Sequence, residues 1–236
     1  MSLTGKKVAI LVERDYQDLE VWYPALRLRE EGAEVLFLGT DAKEYKGKFG
    51  YPLTVHHAVA DVKAELFDAV IVPGGWAPDF LRRYKAVLDF VRAMARLGRP
   101  VGAICHAGWV LASAGVLKDK TVTCFSAIKD DVVNAGACWV DQEVVVDMPL
   151  ITARKPDDLP AFVAAIIDQL KKGTAQAPHP TLSREEREKH CFPSPLGGRP
   201  FGPGAYSARR KRVPLAHATP EGADEGPEQL LKKPAQ

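Results

Sequence analysis

The fold class that this sequence predicts is α/β with a doubly wound parallel sheet, and three observations carry the prediction. Continuous apolar runs of strand length recur at Lys7 to Val12 (KVAILV), Ala33 to Gly39 (AEVLFLG), Phe67 to Val72 (FDAVIV) and Val101 to Ile104 (VGAI); such runs suit strands buried on both faces. Helical segments lie between them, and strands alternating with helices argue for a parallel sheet. The periodicity stops near Lys172, and ten of the eighteen prolines lie beyond Gly173. The reading is therefore one α/β domain over residues 1–172, followed by a Pro- and Gly-rich, charged tail over 173–236 that is expected to be disordered.

Taken in order, the first run is followed by a helix over Asp18 to Glu31, expected to turn Leu19, Trp22, Leu26 and Leu28 to one side and to leave Arg27, Arg29, Glu30 and Glu31 wet. Gly32 ends it, and Pro24 inside it predicts a kink or an irregular start near Glu20. Tyr45 to Val59, with Gly47, Gly50 and Pro52, reads as an inserted β-hairpin. Ala86 to Leu97 is the next helix, stopped by Gly98 and Pro100. Val122 to Phe125, Cys138 to Val140, Glu143 to Asp147 and Leu150 to Thr152 are short late strands, and Pro156 to Leu170 closes the domain as a helix that Pro156 and Asp157 start. In the tail, Ser183 to His190 is too short to hold a helix alone. Arg209 to Arg212 (RRKR) reads as a solvated charge run that could also meet an acidic partner.

Composition narrows the function classes. With 32 Lys and Arg against 30 Asp and Glu, the formal charge of +2 gives no field that calls for nucleic acid or an anionic membrane. Met1 to Lys7 is short and polar, no stretch reaches membrane-spanning length, and cytoplasm is the expected location. Cys105, Cys124, Cys138 and Cys191 show no CxxC spacing, so free thiols are expected rather than a disulfide framework or a zinc site. Cys124 and Cys138 sit in apolar strand contexts and read as core thiols. His56 and His57 are adjacent on a predicted strand, so they point to opposite faces and cannot share a metal ion.

The chemically loaded segment is Val101 to Ala112 (VGAICHAGWVLA), where an apolar strand meets a helix-compatible run with Cys105 at the junction. That is a nucleophile-elbow arrangement, with small neighbours at Ala103, Ala107 and Gly108. A helix N-terminus aimed at the sulfur would favour thiolate. A small-x-Cys-x-small pattern is equally compatible with a buried structural thiol, but His106 beside it is a polar ring that fits poorly in a core and can move protons. In Ile71 to Asp79 (IVPGGWAPD) a buried strand ends in a Gly-Gly turn, which is either an ordinary turn or a source of oxyanion-binding amides. Glu20, between Leu19 and Val21, is either a wet flank residue or a proton carrier with a raised pKa.

Together these segments resemble the PfpI endopeptidase family, in the superfamily of the parkinsonism-associated deglycase and the glutathione-independent glyoxalases. The resemblance runs from about Lys6 to Leu170 through DLEVWYP (Asp18 to Pro24), VPGGWAPD (Val72 to Asp79), AICHAGW (Ala103 to Trp109), IKDDVVNAGACWVDQEVVVD (Ile128 to Asp147) and ITARKPDDLPAF (Ile151 to Phe162). It implies a flavodoxin-like three-layer sandwich with a mostly parallel central sheet. It implies Cys105 as nucleophile, His106 as its neighbour in catalysis, Glu20 as the buried carboxyl on the thiol, and Gly75 with the amide of His106 as oxyanion hole. It also implies that Asp79 reaches across a subunit interface to orient a histidine, hence a homo-oligomer, from dimer to hexamer. Gly74, Trp76 and Phe125 are expected to touch substrate. Gln17 stands where some relatives carry a second acid, and Phe125 where some carry a tyrosine hydroxyl.

Three activities share these residues. The first is cofactor-independent chemistry on a 2-oxoaldehyde or its protein adduct through a Cys105 hemithioacetal. The second is an intracellular cysteine peptidase with a triad of Cys105, His106 and a neighbour's Asp79. The third is a non-enzymatic redox sensor or holdase, in which a peroxide oxidises Cys105 to a sulfinic acid that Glu20 stabilises. None requires a metal, glutathione or nucleotide, and the expected partners are a small carbonyl compound or a glycated or peptide substrate.

Overall fold

The computed structural model describes residues 2–41 and 43–173. The expectations for the tail beyond Gly173, for Ser183 to His190 and for Arg209 to Arg212 lie outside the described residues.

The first half of the domain runs β1 (Lys7–Leu11), α1 (Asp18–Glu30), β2 (Glu34–Gly39), the hairpin strands β3 (Glu44–Lys46) and β4 (Pro52–Thr54), β5 (His57–Ala58) and β6 (Ala69–Val72). The second half runs α2 (Ala77–Leu81), α3 (Lys85–Arg96), β7 (Val101–Ile104), α4 (Gly108–Ala114), β8 (Thr121–Val122), α5 (Lys129–Asn134), β9 (Cys138–Trp139), β10 (Val144–Asp147), β11 (Leu150–Ala153) and α6 (Leu159–Lys172). Seven strands form the central sheet in the order β10-β11-β7-β6-β1-β2-β5. Every neighbouring pair is parallel except β10 with β11. The apolar runs become the centre of the sheet because helices cover both faces: Val8 to Leu11, Ala69 to Val72 and Val101 to Ile104 are all buried. α1 packs beside α6, and α3 packs beside α4. The strand order reverses around β1, so the carboxyl ends of β1, β6 and β7 open onto the crevice where such sheets bind ligands.

The structure corrects the sequence reading in several places. Helix α1 buries Glu20, Val21, Pro24, Ala25 and Leu28, a face one step round from the expected one, while Leu19 and Leu26 stand exposed. The spacing 21, 24, 25, 28 is itself helical, and small Pro24 and Ala25 let the helix lie close to the sheet. The helix passes through Pro24 without a break, and Gln17 caps it, its side-chain oxygen accepting from the Leu19 N–H at 3.2 Å. The amide that proline lacks would have met the Glu20 carbonyl, so the missing bond falls on the turn that carries Glu20. The late strands at 121 and 138 are shorter than expected and pair with each other in a separate small sheet. The closing helix starts as a 3₁₀ turn at Pro156–Asp158 before α6. Cys105 and Cys124 are free and buried; Cys138, on the short strand β9, is disulfide-bonded, against the expectation of free thiols throughout.

The loops at the carboxyl edge are tied together. Tyr16 bridges to Gly47 of the hairpin on one side and to Gly75 after β6 on the other, and its hydroxyl donates to the Tyr51 carbonyl at 2.7 Å. The hairpin therefore folds over the end of the sheet instead of pointing away from it.

Candidate active site

Strand β7 delivers its chain directly into a 3₁₀ turn, Cys105–Ala107, that leads into α4. Cys105 takes a φ of 62°, a left-handed conformation that disfavours any side chain with a Cβ and stores about 1–3 kcal/mol. The sulfur stands at the crevice, where the backbone amides of His106 and Gly75 favour its charged form. Gly75 supplies its amide from a φ of 73°, a conformation suited to glycine.

Gly74 explains why the turn after β6 begins with a second glycine. A Cβ at this position would lie 2.6 Å from Glu20 Oε2 and 2.7 Å from Cys105 Cβ, so both functional side chains press against bare backbone. Gly74→Ala is expected to destabilise the fold by about 1–3 kcal/mol and to push Glu20 off the sulfur; urea denaturation of the two proteins measures the first effect.

Glu20 is fully buried. Its Oε2 accepts the Gly74 N–H at 2.6 Å, its carboxyl faces the Cys105 sulfur, and Oε1 is buried with no ordinary hydrogen-bond partner. An unpaired oxygen in a dry place favours the neutral acid. Burial accordingly lifts the Glu20 pKa from 4.5 to about 7, against smaller opposing effects of the Gly74 amide, Cys105 and Lys48. The Cys105 thiol is pushed up to about 12 by burial first and by the Glu20 carboxylate second, with the two amides pulling the other way. The elbow turn and the helix end were expected to favour thiolate; burial and the Glu20 carboxylate act the other way. The turn is short, the site is dry, and a carboxylate sits on the thiol. The two groups therefore titrate as a unit that carries two protons below about pH 7 and one above it.

A stability consequence follows. A folded-state pKa above the unfolded one means that the native state binds this proton more tightly. The favourable contribution is complete below pH 4.5 and is lost as pH rises to about 7, a difference of about 3 kcal/mol. Glu20→Gln should lose most of that slope, so its melting temperature falls less than that of the wild type between pH 5 and pH 8; parallel slopes would show Glu20 to be solvated.

His106 Nδ1 lies 3.2 Å from Cys105 Sγ. Its ring stacks on Phe125 at 5.0 Å and meets the edge of Trp109 at 5.0 Å, with Trp76 at 5.9 Å. Burial, and after it the charge of Lys48, lower the His106 pKa, so the neutral imidazole is the resting form, able to take a proton from the thiol or return one.

A cavity of about 310 Å³ opens above the sulfur. It brings together Glu20, Gly75, Trp76, Cys105, His106 and Phe125, all singled out from sequence. Asp79 is not among them: it lies on α2 and pairs with Arg83 just beyond the end of that helix, so within one chain it does not orient His106. Sequence reasoning missed Lys48 and Pro156, which also line the cavity, and Trp109, whose indole is fixed by donating to Asp131 at 2.8 Å. Trp109 was findable, three residues after His106 on one helical face. Lys48 carried no signal, because its place depends on the hairpin folding back. Gln17, noted only as a departure, also lines the cavity. Among the described residues no group of three His, Cys, Asp or Glu side chains is arranged to hold a metal ion.

Comparison with known proteins agrees with this geometry. The family description "DJ-1/PfpI family" matches residues 6–169. The deglycase PfpI of Pyrococcus furiosus is 39% identical over 165 residues, which cover 70% of this chain and 99% of that protein. YraA of Bacillus subtilis, which carries a provisional cysteine-protease name, is 40% identical over 168 residues, covering 71% of this chain and 99% of its own. The crystal structure of DJ-1beta from Drosophila melanogaster superposes with a TM-score of 0.67 at 28% identity, over 70% of this chain and 90% of that one.

Proposed function

The chain belongs to the DJ-1/PfpI family, and from that premise we propose that it is a cofactor-independent cysteine enzyme acting on 2-oxoaldehydes or their adducts with protein side chains. The observation that carries this reading is the gathering of buried Glu20 and Cys105 and the half-buried His106 ring around one small cavity: a carboxyl with a pKa near neutrality stands beside a nucleophile whose proton it can hold. A general base is most effective when its pKa lies near the working pH.

In the proposed cycle the thiol proton passes to Glu20 or His106 as Sγ bonds to the aldehyde carbon, and the amides of His106 and Gly75 hold the new oxyanion. The oxyanion takes a proton and becomes the hydroxyl of a hemithioacetal. Glu20 then removes the C1 proton to form an enediol, and a proton returned to C2 gives a 2-hydroxy thioester. C1 is oxidised and C2 reduced within the same molecule, so no external redox partner is needed. Water cleaves the thioester, releasing the 2-hydroxy acid and regenerating the thiol. With an amine adduct, Sγ bonds to C1 as the C1–N bond breaks, and the thiol proton passes through Glu20 or His106 to the departing amine.

The cavity volume suits a small carbonyl compound. The elevated thiol pKa counts against a resting redox sensor, which works through an exposed thiolate. The peptidase reading needs Asp79 from a second chain. We also propose that the protein is a homo-oligomer of the cytoplasm: Leu19, Leu26, Phe49 and Tyr51 form an exposed apolar patch of a kind that marks interaction surfaces. No helix among the described residues is long and apolar enough to cross a membrane. Purified protein supplied with methylglyoxal should yield lactate without glutathione or metal; cleavage of peptides without lactate formation would assign the site to proteolysis instead.

A further inference from the structure

Lys48 lies in a part of the cavity that the catalytic cycle leaves unused. It follows Gly47 in the β3–β4 hairpin, where its N–H donates to the Tyr16 carbonyl at 2.8 Å. That bond, with the Tyr16–Gly47 bridge, anchors the backbone at the cavity rim. The side chain lines the same space as Cys105, Glu20 and His106. Its ammonium lies 5.7 Å from the centre of the Phe49 ring and makes no ion pair among the described residues. The carboxylate that meets this hairpin, Asp18 at the start of α1, accepts instead from the Phe49 N–H at 3.0 Å.

Lys48 is the one cation among the cavity-lining residues. Around it stand a neutral imidazole, a protonated thiol, a carboxyl near half ionisation, and aromatic walls from Trp76 and Phe125. An unpaired ammonium beside apolar walls attracts anions more strongly than it would in open water. Its field already reaches the site: after burial, it is what lowers the His106 pKa.

We propose that Lys48 is a specificity residue that anchors the anionic end of the substrate, so that the preferred substrates are carbonyl compounds carrying a carboxylate or phosphate a few bonds from the aldehyde bound by Cys105. This rests on the function proposed above in taking Cys105 as the carbonyl-binding nucleophile. The anchor makes no bond to the reacting carbons. It fixes the far end of the molecule and leaves proton transfer to Glu20.

The first arm of the test needs no turnover. Iodoacetate and iodoacetamide both alkylate Cys105, forming the S–C bond as iodide leaves, and differ only in charge. With modification read at the Cys105 peptide by mass spectrometry, Lys48→Gln should lower the iodoacetate rate about tenfold relative to the iodoacetamide rate. Lys48→Arg should keep the ratio, and so should Lys46→Gln on the same hairpin. An unchanged ratio in Lys48→Gln, or an equal fall for both reagents, would overturn the proposal, the latter by showing that Lys48 acts on thiol ionisation. The second arm compares 4,5-dioxovalerate, an anionic 2-oxoaldehyde, with neutral methylglyoxal. In Lys48→Gln the KM for the former should rise about tenfold, with a much smaller change in its kcat; equal KM changes for both would overturn the anchor. Turnover of neither substrate by the wild type would defeat the proposed function while leaving the alkylation ratio to judge Lys48.

Discussion

Cys105→Ser is expected to lower turnover of a 2-oxoaldehyde by about 10³-fold or more while leaving the fold intact. The hydroxyl is a far weaker nucleophile than sulfur and, with only Glu20 and His106 as bases beside it, stays protonated throughout the neutral range. The substitution keeps the φ of 62° and nearly keeps the volume, so folding should be little affected. Cys105→Gly sharpens the point, because it removes the side chain that makes this conformation costly. It should be equally inactive and yet at least as stable as the wild type, by up to about 1–2 kcal/mol, the signature of strain held at a functional position. Progress curves with methylglyoxal, set beside urea denaturation of the three proteins, check both halves. Residual activity near the wild-type level in Cys105→Ser would move the nucleophile elsewhere.

Glu20→Gln should lower kcat by about 10²–10⁴-fold, the range a well-placed general base contributes. The amide keeps the hydrogen bond from Gly74, so the loss reports proton transfer and not collapse. The pH profile separates the two. In the wild type the active form is the singly protonated Glu20–Cys105 pair, which appears as pH rises through about 7 and persists until the second proton leaves near 12. Turnover should therefore climb through pH 7 and level off. In Glu20→Gln that limb should vanish from whatever activity remains. A limb near 7 that survives the substitution would belong to His106.

The sheet was legible because its strands are short, mostly apolar and separated by punctuating glycines and prolines; residues 7–11, 34–39, 69–72 and 101–104 fall inside the runs read from sequence. Cys105 and His106 were legible because a strand that ends at Cys leaves little choice for where the sulfur points. What could not be read was set by packing between distant segments. The face of α1 was misjudged because hydrophobicity alone favoured Leu19 and Leu26, whereas shape favoured Pro24 and Ala25. The direction of the Cys105 pKa was misjudged because a helix end was visible in the sequence and the dryness of the site was not; the Glu20 contact was implied by the resemblance, but its effect on the thiol was not drawn from it. Lys48 enters the cavity through a hairpin that Tyr16 holds down, and no local pattern announces a side chain delivered by a loop some sixty residues before the nucleophile.

Alkylation of Cys105 by iodoacetamide across pH 5 to 10, in the wild type and in Glu20→Gln, tests most directly whether thiol and carboxyl share one proton. The wild-type rate should rise through about pH 7 and then plateau, whereas the Gln variant should show no step there and react appreciably only in alkali. Two superimposable curves, each with a single rise at the pH of an ordinary thiol, would contradict the shared proton and with it the chemistry assigned to this site.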